Sequence, residues 1–296
     1  MFFSRLSSLI FSAYSLLFGP GLIAKDLTAM TWNIEWFPGG RPNASPPERA
    51  EQMRHAQEII ASESPDILLA QELTDKAAFS ELAAAVPGMR MHVMSQFLEP
   101  NGRTPSPQQC GIASSLQLHS AWFEQFKPTE AIPHLQRGFA FAALIHPDGG
   151  LIMLYSIHLK SNRGGDTMEG ALHIAQNRAE AARQLVAHQR EMKKKFSTHQ
   201  INGWIIAGDF NSNHDGQFPH CTAVSDLVAA GFHNSWENVA RDKRLTWRNA
   251  PDDTRFQPTT FDYILTSGFR KTPARMIPDV PVSVSDHAPV VITLEK

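Results

Sequence analysis

The sequence predicts an α/β fold in which mixed β-sheets carry helices on their outer faces. Three observations lead there. From residue 25 onward, short apolar strand-like runs alternate with amphipathic helix-like stretches. Two of the runs, Phe139–Ile145 and Leu151–His158, are joined by Pro147-Asp148-Gly149-Gly150, a hairpin signal, whereas other runs have helical stretches between them. Hairpins give antiparallel pairs and helical crossovers give parallel ones, so the sheets are mixed. No repeat, linker or shift in composition divides the chain, which makes residues 25–296 one domain.

Taken in order, Leu27–Ile34 reads as a strand, and Pro46–Ser62 as a helix with Met53, Ala56, Ile59 and Ile60 on one face. Pro65 closes that helix, and Asp66–Ala70 is the next buried strand. Phe79–Val86 reads as helical and Met89–Met94 as extended. Glu99–Gly111, rich in Pro, Asn, Gly and Gln, reads as a surface loop. After the hairpin comes the longest helical pattern, Met168–Phe196, with Leu172, Ala175, Ala179, Ala182, Leu185 and Val186 on one face. Ile201–Ala207 is a buried strand, Cys221–Ala230 a helix, and Phe261–Thr266 and Val290–Leu294 are strands. Lys193-Lys194-Lys195 closes a helix, where cations suit the dipole, and is assigned no substrate.

With 296 residues, 42% of them hydrophobic, the chain can bury a large core. A formal net charge of −2 and a pI near 6.7 give no global signature of a nucleic-acid binder, although a local basic rim and a divalent cation can hold a phosphodiester regardless. Cys110 and Cys221, one in each half and with no CxxC, disfavour a structural zinc site and leave a disulfide open. Residues 1–24 read as a signal peptide: Arg5 is the positive flank, Leu9–Phe18 the apolar stretch, and Ala24 the cleavage residue. The alternative is an uncleaved anchor over Leu6–Ala24. Export makes the protein secreted or periplasmic.

Five polar segments close strand-like runs: Thr31-Trp32-Asn33-Ile34-Glu35, Leu69-Ala70-Gln71-Glu72, Ser156-Ile157-His158-Leu159-Lys160, Gly208-Asp209-Phe210-Asn211 and Ser285-Asp286-His287. Carboxylates, carboxamides and imidazoles gathered at strand ends suit metal-assisted hydrolysis of a phosphate ester. A carboxylate ending an apolar strand, as Glu72 does, is poorly tolerated unless paired or metal-bound. By strand alternation Asn33 and Glu35 share a face, as do Asp209 and Asn211. An ordinary Asx turn is the plain alternative for Asp209-Phe210-Asn211.

These segments, together with Phe261-Asp262-Tyr263, resemble the endonuclease/exonuclease/phosphatase superfamily in order and spacing over almost all of residues 25–296. That superfamily includes deoxyribonuclease I-like nucleases, abasic-site endonucleases, sphingomyelinases and inositol-polyphosphate phosphatases. The resemblance implies a four-layer sandwich of two packed mixed sheets flanked by helices, with a metal-dependent site at one end. It implies Glu72 as the main Mg2+ ligand, with Mn2+ or Ca2+ as alternatives, Asn33 as a metal-site or phosphate-oriented amide, and Glu35 and Asp286 near the metal. Many members carry Asp where Glu35 stands. Asp209 would orient or deprotonate the attacking water, and Asn211 would donate to the phosphoryl oxygen. His158 would be a general acid or hydrogen-bond donor, and His287 a base or phosphate ligand with its tautomer fixed by Asp262.

The stretch His158-Leu159-Lys160-Ser161-Asn162 is most similar to secreted bacterial nucleases, with Asn162 where they have Lys. It puts Lys160 and Asn162 at a substrate phosphate. Arg241, Lys243, Arg244, Trp247, Arg248, Arg255 and Phe256 form either a rim that grips a nucleic-acid backbone or a solvated loop with one anchoring Trp. The expectation is therefore a monomeric, Mg2+-dependent nuclease acting on DNA without a stable protein partner. Its enzymatic rivals are a sphingomyelinase-like lipid phosphodiesterase, for which Ala121-Trp122-Phe123 is the candidate apolar loop, and an inositol or other small-molecule phosphatase. A binding or toxin-like module on the same fold is the non-enzymatic rival.

Overall fold

The computed structural model describes residues 26–99, 101–133, 135–249 and 257–295. Residues 1–24, expected to be a signal peptide, and Arg255 and Phe256 lie outside the described residues. Two six-stranded sheets pack face to face. The first runs in the order β11 (Arg275–Met276), β12 (Val290–Leu294), β1 (Leu27–Phe37), β2 (Ile67–Leu73), β4 (Gln109–Ser114), β3 (Arg90–Met94). The second runs β5 (Leu118–Gln125), β6 (Gly138–Ile145), β7 (Leu151–His158), β8 (Ile201–Asp209), β10 (Asp262–Ser267), β9 (His233–Asn234). β1 and β2 are parallel, as are β7 and β8; every other pair is antiparallel, so both sheets are mixed.

The period-two alternation of β1 builds the layers. Leu27 and Ala29 face the second sheet, in a core shared with Ile67, Leu69, Phe141 and Leu154. Met30, Trp32 and Ile34 point the other way, onto α1 (Pro46–Glu63) and α2 (Lys76–Ala83) through Met53, Ala56, Ile60 and Phe79. Ser45, Pro46 and Glu48 open α1: Pro46 occupies the first turn and Glu48 accepts the Ser45 N–H at 2.7 Å. On the far side, α3 (Met168–Lys195) and α4 (Ala223–Ala229) pack beside each other, with α3 burying Ala181, Ala182, Leu185 and Met192. The result is the expected four-layer sandwich.

Three expectations change. Gln109–Gly111 belongs not to a loop but to β4, a fully buried strand whose start is hidden by the Pro- and Gln-rich segment before it. Ala121-Trp122-Phe123 is not a membrane-facing loop either: it lies in β5, an edge strand, and Trp122 packs on Phe141 while its indole N–H donates to Glu124 at 2.9 Å. Leu172 is 39% exposed, because the buried seam of α3 starts only at Ile174 and Ala175; Ala182 and Leu185 lie in it as expected. Both cysteines are free: Cys110 is buried, and burial pushes its thiol up to about 12, while Cys221 lies beside Arg178. Among the described residues no helix is long and apolar enough to cross a membrane.

Candidate active site

The polar strand ends meet at one end of the sandwich. The inward-facing side of β1 and β2 turns polar toward that end: Thr31 and Gln71 are fully buried, and the Gln71 amide donates to Ser156 Oγ on β7 at 3.0 Å. One step further on, Asn33 (0% exposed) donates from Nδ2 to Glu72 Oε1 at 3.2 Å and to Asp209 Oδ2 at 3.1 Å. One carboxamide thus joins the two sheets.

Asp209 ends β8 and is locked on both oxygens. Oδ1 accepts the Asn211 N–H at 2.7 Å, and Oδ2 accepts Asn211 Nδ2 at 2.9 Å and lies 3.2 Å from His158 Nε2. The Asx turn and the polar site are therefore one structure. Gly208 makes it feasible: its φ is +144°, and a Cβ there would sit 1.9 Å from the Ile157 carbonyl oxygen on β7. Burial pushes the Asp209 carboxyl up, but His287, His158 and the hydrogen bonds outweigh it and hold the group well below the usual carboxylate range.

His287 is anchored from three sides. Its Nδ1 lies 2.8 Å from Asp262 Oδ2, its backbone carbonyl accepts the Trp32 indole N–H at 3.0 Å, and its N–H donates to Ser285 Oγ at 3.0 Å. The Asp262 carboxylate accepts the Nδ1–H hydrogen bond, which leaves Nε2 facing Asp209 Oδ2 and Asp286 Oδ1, each at 3.8 Å, and Asn33 Nδ2 at 3.5 Å. Burial opposes the charged ring, yet Asp262, Asp286 and Asp209 together raise His287 well above its ordinary value. Burial pushes Asp262 up to about 6, with His287 pulling against it. His158 is lowered, first by burial and then by the Arg137 guanidinium.

Glu35, Glu72 and Asp286 form the acidic side of the site. Glu72 Oε2 accepts Gln108 Nε2 at 2.6 Å and the Trp36 N–H at 3.1 Å, and Glu35 Oε2 accepts the Asp286 N–H at 3.1 Å. Asp286 Oδ2 accepts the Trp247 indole N–H at 2.8 Å. Burial, then repulsion from Asp286 and Glu72, pushes Glu35 up to about 8. Among the described residues none of the three carboxylates has a Lys or Arg ion-pair partner. Hard oxygen donors that repel one another and lack a cation are what a divalent ion requires. Asp209, Asp262 and His287 also bring one ligand atom each within 4.8 Å of one another. The proton between Asp262 and His287 makes that second triangle the poorer cation site.

The backbone is bent to aim these groups. Glu35, Trp36, Glu72 and Asn211 adopt left-handed φ of 45°, 46°, 59° and 51°, uncommon values for non-glycine residues and here four of them in one site. The simple alternation of Asn33 and Glu35 therefore fails, since the β1–β2 ladder breaks between Asn33 and Phe37. The two still meet, through the Glu35 N–H donating to Asn33 Oδ1 at 3.1 Å.

The substrate-phosphate candidates sit differently from expectation. Asn162 is engaged at both ends, donating to the Asn211 carbonyl at 3.0 Å and accepting from Arg178 Nη2 at 2.8 Å, so it braces the Asn211 turn. Lys160 Nζ reaches the carbonyls of Ser161 and Arg163, each at 3.2 Å. Trp247 walls the site through Asp286. Of the basic rim, Arg244 pairs with Asp215 at 2.8 Å and Arg248 bonds the Val280 carbonyl, both inside the fold, while Arg241 and Lys243 are exposed.

Two participants went unread in the sequence. Gln108 lies in the Pro- and Gln-rich segment, and Arg137 in a stretch without pattern. Arg137 (φ 67°) donates to the carbonyls of His158 and Leu159 at 3.2 and 3.0 Å and to Gln108 Oε1 at 3.3 Å. Because guanidinium only donates, the Gln108 carbonyl must face it and the amide must face Glu72. A buried-polar reading of neighbouring segments carries no signal for that relay.

No curated protein matches the sequence significantly. The model of the Endonuclease/Exonuclease/phosphatase family matches residues 30–287. Among solved structures, truncated TDP2 from Caenorhabditis elegans superposes with a TM-score of 0.64 at 17% identity, covering 92% of this chain and 98% of that one. An endonuclease/exonuclease/phosphatase from Bacteroides vulgatus gives 0.66 at 14%, covering 92% and 99%. A mannosyl-6-phosphatase from Bacteroides thetaiotaomicron gives 0.61 at 16%, covering 91% and 100%. At these identities the likeness is one of fold.

Proposed function

This chain belongs to the endonuclease/exonuclease/phosphatase family, and from that premise we propose that it is a Mg2+-dependent phosphodiesterase that cuts DNA. Hydrolysis of a phosphate ester is the family's chemistry; the ion, the phosphodiester and the DNA are this proposal's. The observation that carries it is the interlocked set Asn33, Glu72, His158, Asp209, Asn211, Asp262 and His287, drawn from both sheets and joined by Asn33.

Glu72, Glu35 and Asp286 would hold the divalent ion, with Asn33 orienting Glu72. When bound, the ion supplies positive charge to a phosphoryl oxygen. The protein's own groups do the rest. Asp209, held ionised, orients the attacking water and takes its proton as the new P–O bond forms and the water becomes strongly acidic. His287, charged and fixed by Asp262, donates from Nε2 to the phosphoryl group, and His158 assists from the opposite sheet. Asn211 Nδ2 is the third donor, once it turns from Asp209. No covalent enzyme intermediate is required.

Arg163, exposed in the segment that follows His158, is the basic residue that supports a polyanionic substrate, through backbone phosphate contact. Residues 1–24 would direct export, which makes the working protein a secreted or periplasmic monomer. The test is supercoiled plasmid incubated with the protein in Mg2+ and in excess chelator. Nicked then linear DNA, only with metal and absent in Glu72→Ala, is the expected result. Plasmid left intact by folded protein overturns the DNA reading, and activity on a sugar phosphate or on sphingomyelin would replace it.

A further inference from the structure

Gln52 lies mid-way along α1, between residues that face the apolar core, and is 2% exposed. A carboxamide buried there destabilises the fold unless every hydrogen-bonding group is matched. Gln52 matches all of them, and only with two segments. Nε2 donates to the carbonyls of Ile34 (2.8 Å), Glu35 (3.0 Å) and Val284 (2.7 Å), and Oε1 accepts the Gly39 N–H. Ile34, Glu35 and Gly39 belong to the irregular end of β1, where the ladder to β2 is interrupted and Glu35 and Trp36 are left-handed. Val284 belongs to the turn that delivers Asp286 and His287. The same two segments meet again where Ser285 Oγ donates to the Asn33 carbonyl at 2.7 Å and the Asp286 N–H donates to Glu35.

We infer that Gln52 is a positioning residue: it ties the β1 end to the 281–287 turn and so sets the spacing of Glu35 against Asp286 and His287. It touches none of the reacting groups. Its effect runs through carbonyls that the broken ladder leaves without strand partners, and no other α1 side chain supplies both a donor and an acceptor there. The inference rests on the proposed metal-dependent hydrolysis for its consequence, but the tie itself is a property of the fold.

Gln52→Met keeps the unbranched shape and removes the donors and the acceptor; Gln52→Asn, which draws the carboxamide back by one methylene, serves if the first variant does not fold. Ile60→Ala, equally buried on α1 but without a hydrogen-bonding side chain to tie the segments, is the control for simple destabilisation. By hydrogen–deuterium exchange, the segments 34–40 and 281–287 should exchange together, about tenfold faster in Gln52→Met, with the rest of α1 unchanged. The Mg2+ concentration that gives half of the ion's thermal stabilisation should rise about tenfold, and kcat should fall by about 10–100-fold with KM little changed. Ile60→Ala should lower the melting temperature with none of these changes. If Gln52→Met behaves like Ile60→Ala, the inference is wrong. Should the wild-type protein prove inactive on every phosphoester, the exchange measurement still decides the tie, so the two readings fail separately.

Discussion

Between Asp262 and His287 a single hydrogen bond determines which imidazole nitrogen faces the reaction space. Asp262→Asn keeps an acceptor for Nδ1 but removes the foremost charge that raises His287, so the ring loses its proton at lower pH. We expect kcat to fall about 100-fold near neutrality, the deficit growing as pH rises, with stability changed by about 1 kcal/mol or less; kcat against pH for both proteins checks it. Gly208 is a second decisive residue, for steric reasons. Gly208→Ala places a Cβ against the Ile157 carbonyl at a φ of +144° and should cost about 3 kcal/mol or more, read by urea unfolding. Both residues stood in recognisable motifs, yet only the fold shows that the glycine guards the β7–β8 approach and not merely a turn.

Elements with a strong period were legible. The β6–β7 hairpin, α1, α3 and the buried strands β2 and β8 follow from alternation, length and turn chemistry. The edges did not follow, because β5 mixes polar and apolar residues as an edge strand can, and β9 and β11 are two residues long. The active residues beyond each strand end were legible as residue types, whereas their left-handed backbone and the Arg137–Gln108 relay depend on contacts far apart in sequence. α3 shows a similar gap: Ala175, Ala182 and Leu185 lie on its buried face as expected, but Leu172 does not, and His188, unread in the sequence, bonds Tyr155 OH of β7 at 2.9 Å and Glu124 of β5 at 3.2 Å. Burial lowers His188 against the pull of Glu124. A histidine lowered in the folded state contributes stability above its unfolded value of about 6.5 and loses it as pH falls. The difference in unfolding free energy between wild type and His188→Gln, about 1 kcal/mol at pH 7.5, should therefore shrink by pH 5.5, because only the wild type carries the lowered histidine; urea unfolding of both proteins at the two pH values checks it.

At the scale of the whole molecule, each sheet holds half of the site. Asn33, Glu35 and Glu72 come from β1 and β2, with Asp286 and His287 just before β12; His158, Asp209, Asn211 and Asp262 come from β7, β8 and β10. The large apolar core holds the sheets together, while at this end the first sheet gathers Glu35, Glu72 and Asp286; burial first, and repulsion from neighbouring carboxylates second, raises the Glu35 and Asp286 carboxyls. A cation held by Glu35, Glu72 and Asp286 removes that repulsion in the folded state and has no such site in the unfolded chain. Linkage then makes ion binding a stability term of about 2.7 kcal/mol at a hundred times the dissociation constant. For a domain of this size that corresponds to a melting temperature about 5–10 °C higher in Mg2+ than in chelator. Glu72→Gln, which removes one charge but also one of the oxygens that accept from Asn33, Trp36 and Gln108, should lose most of the Mg2+ increment. Thermal unfolding of both proteins across a Mg2+ titration measures this directly. An increment that survives Glu72→Gln intact would move the ion to the Asp209, Asp262 and His287 triangle.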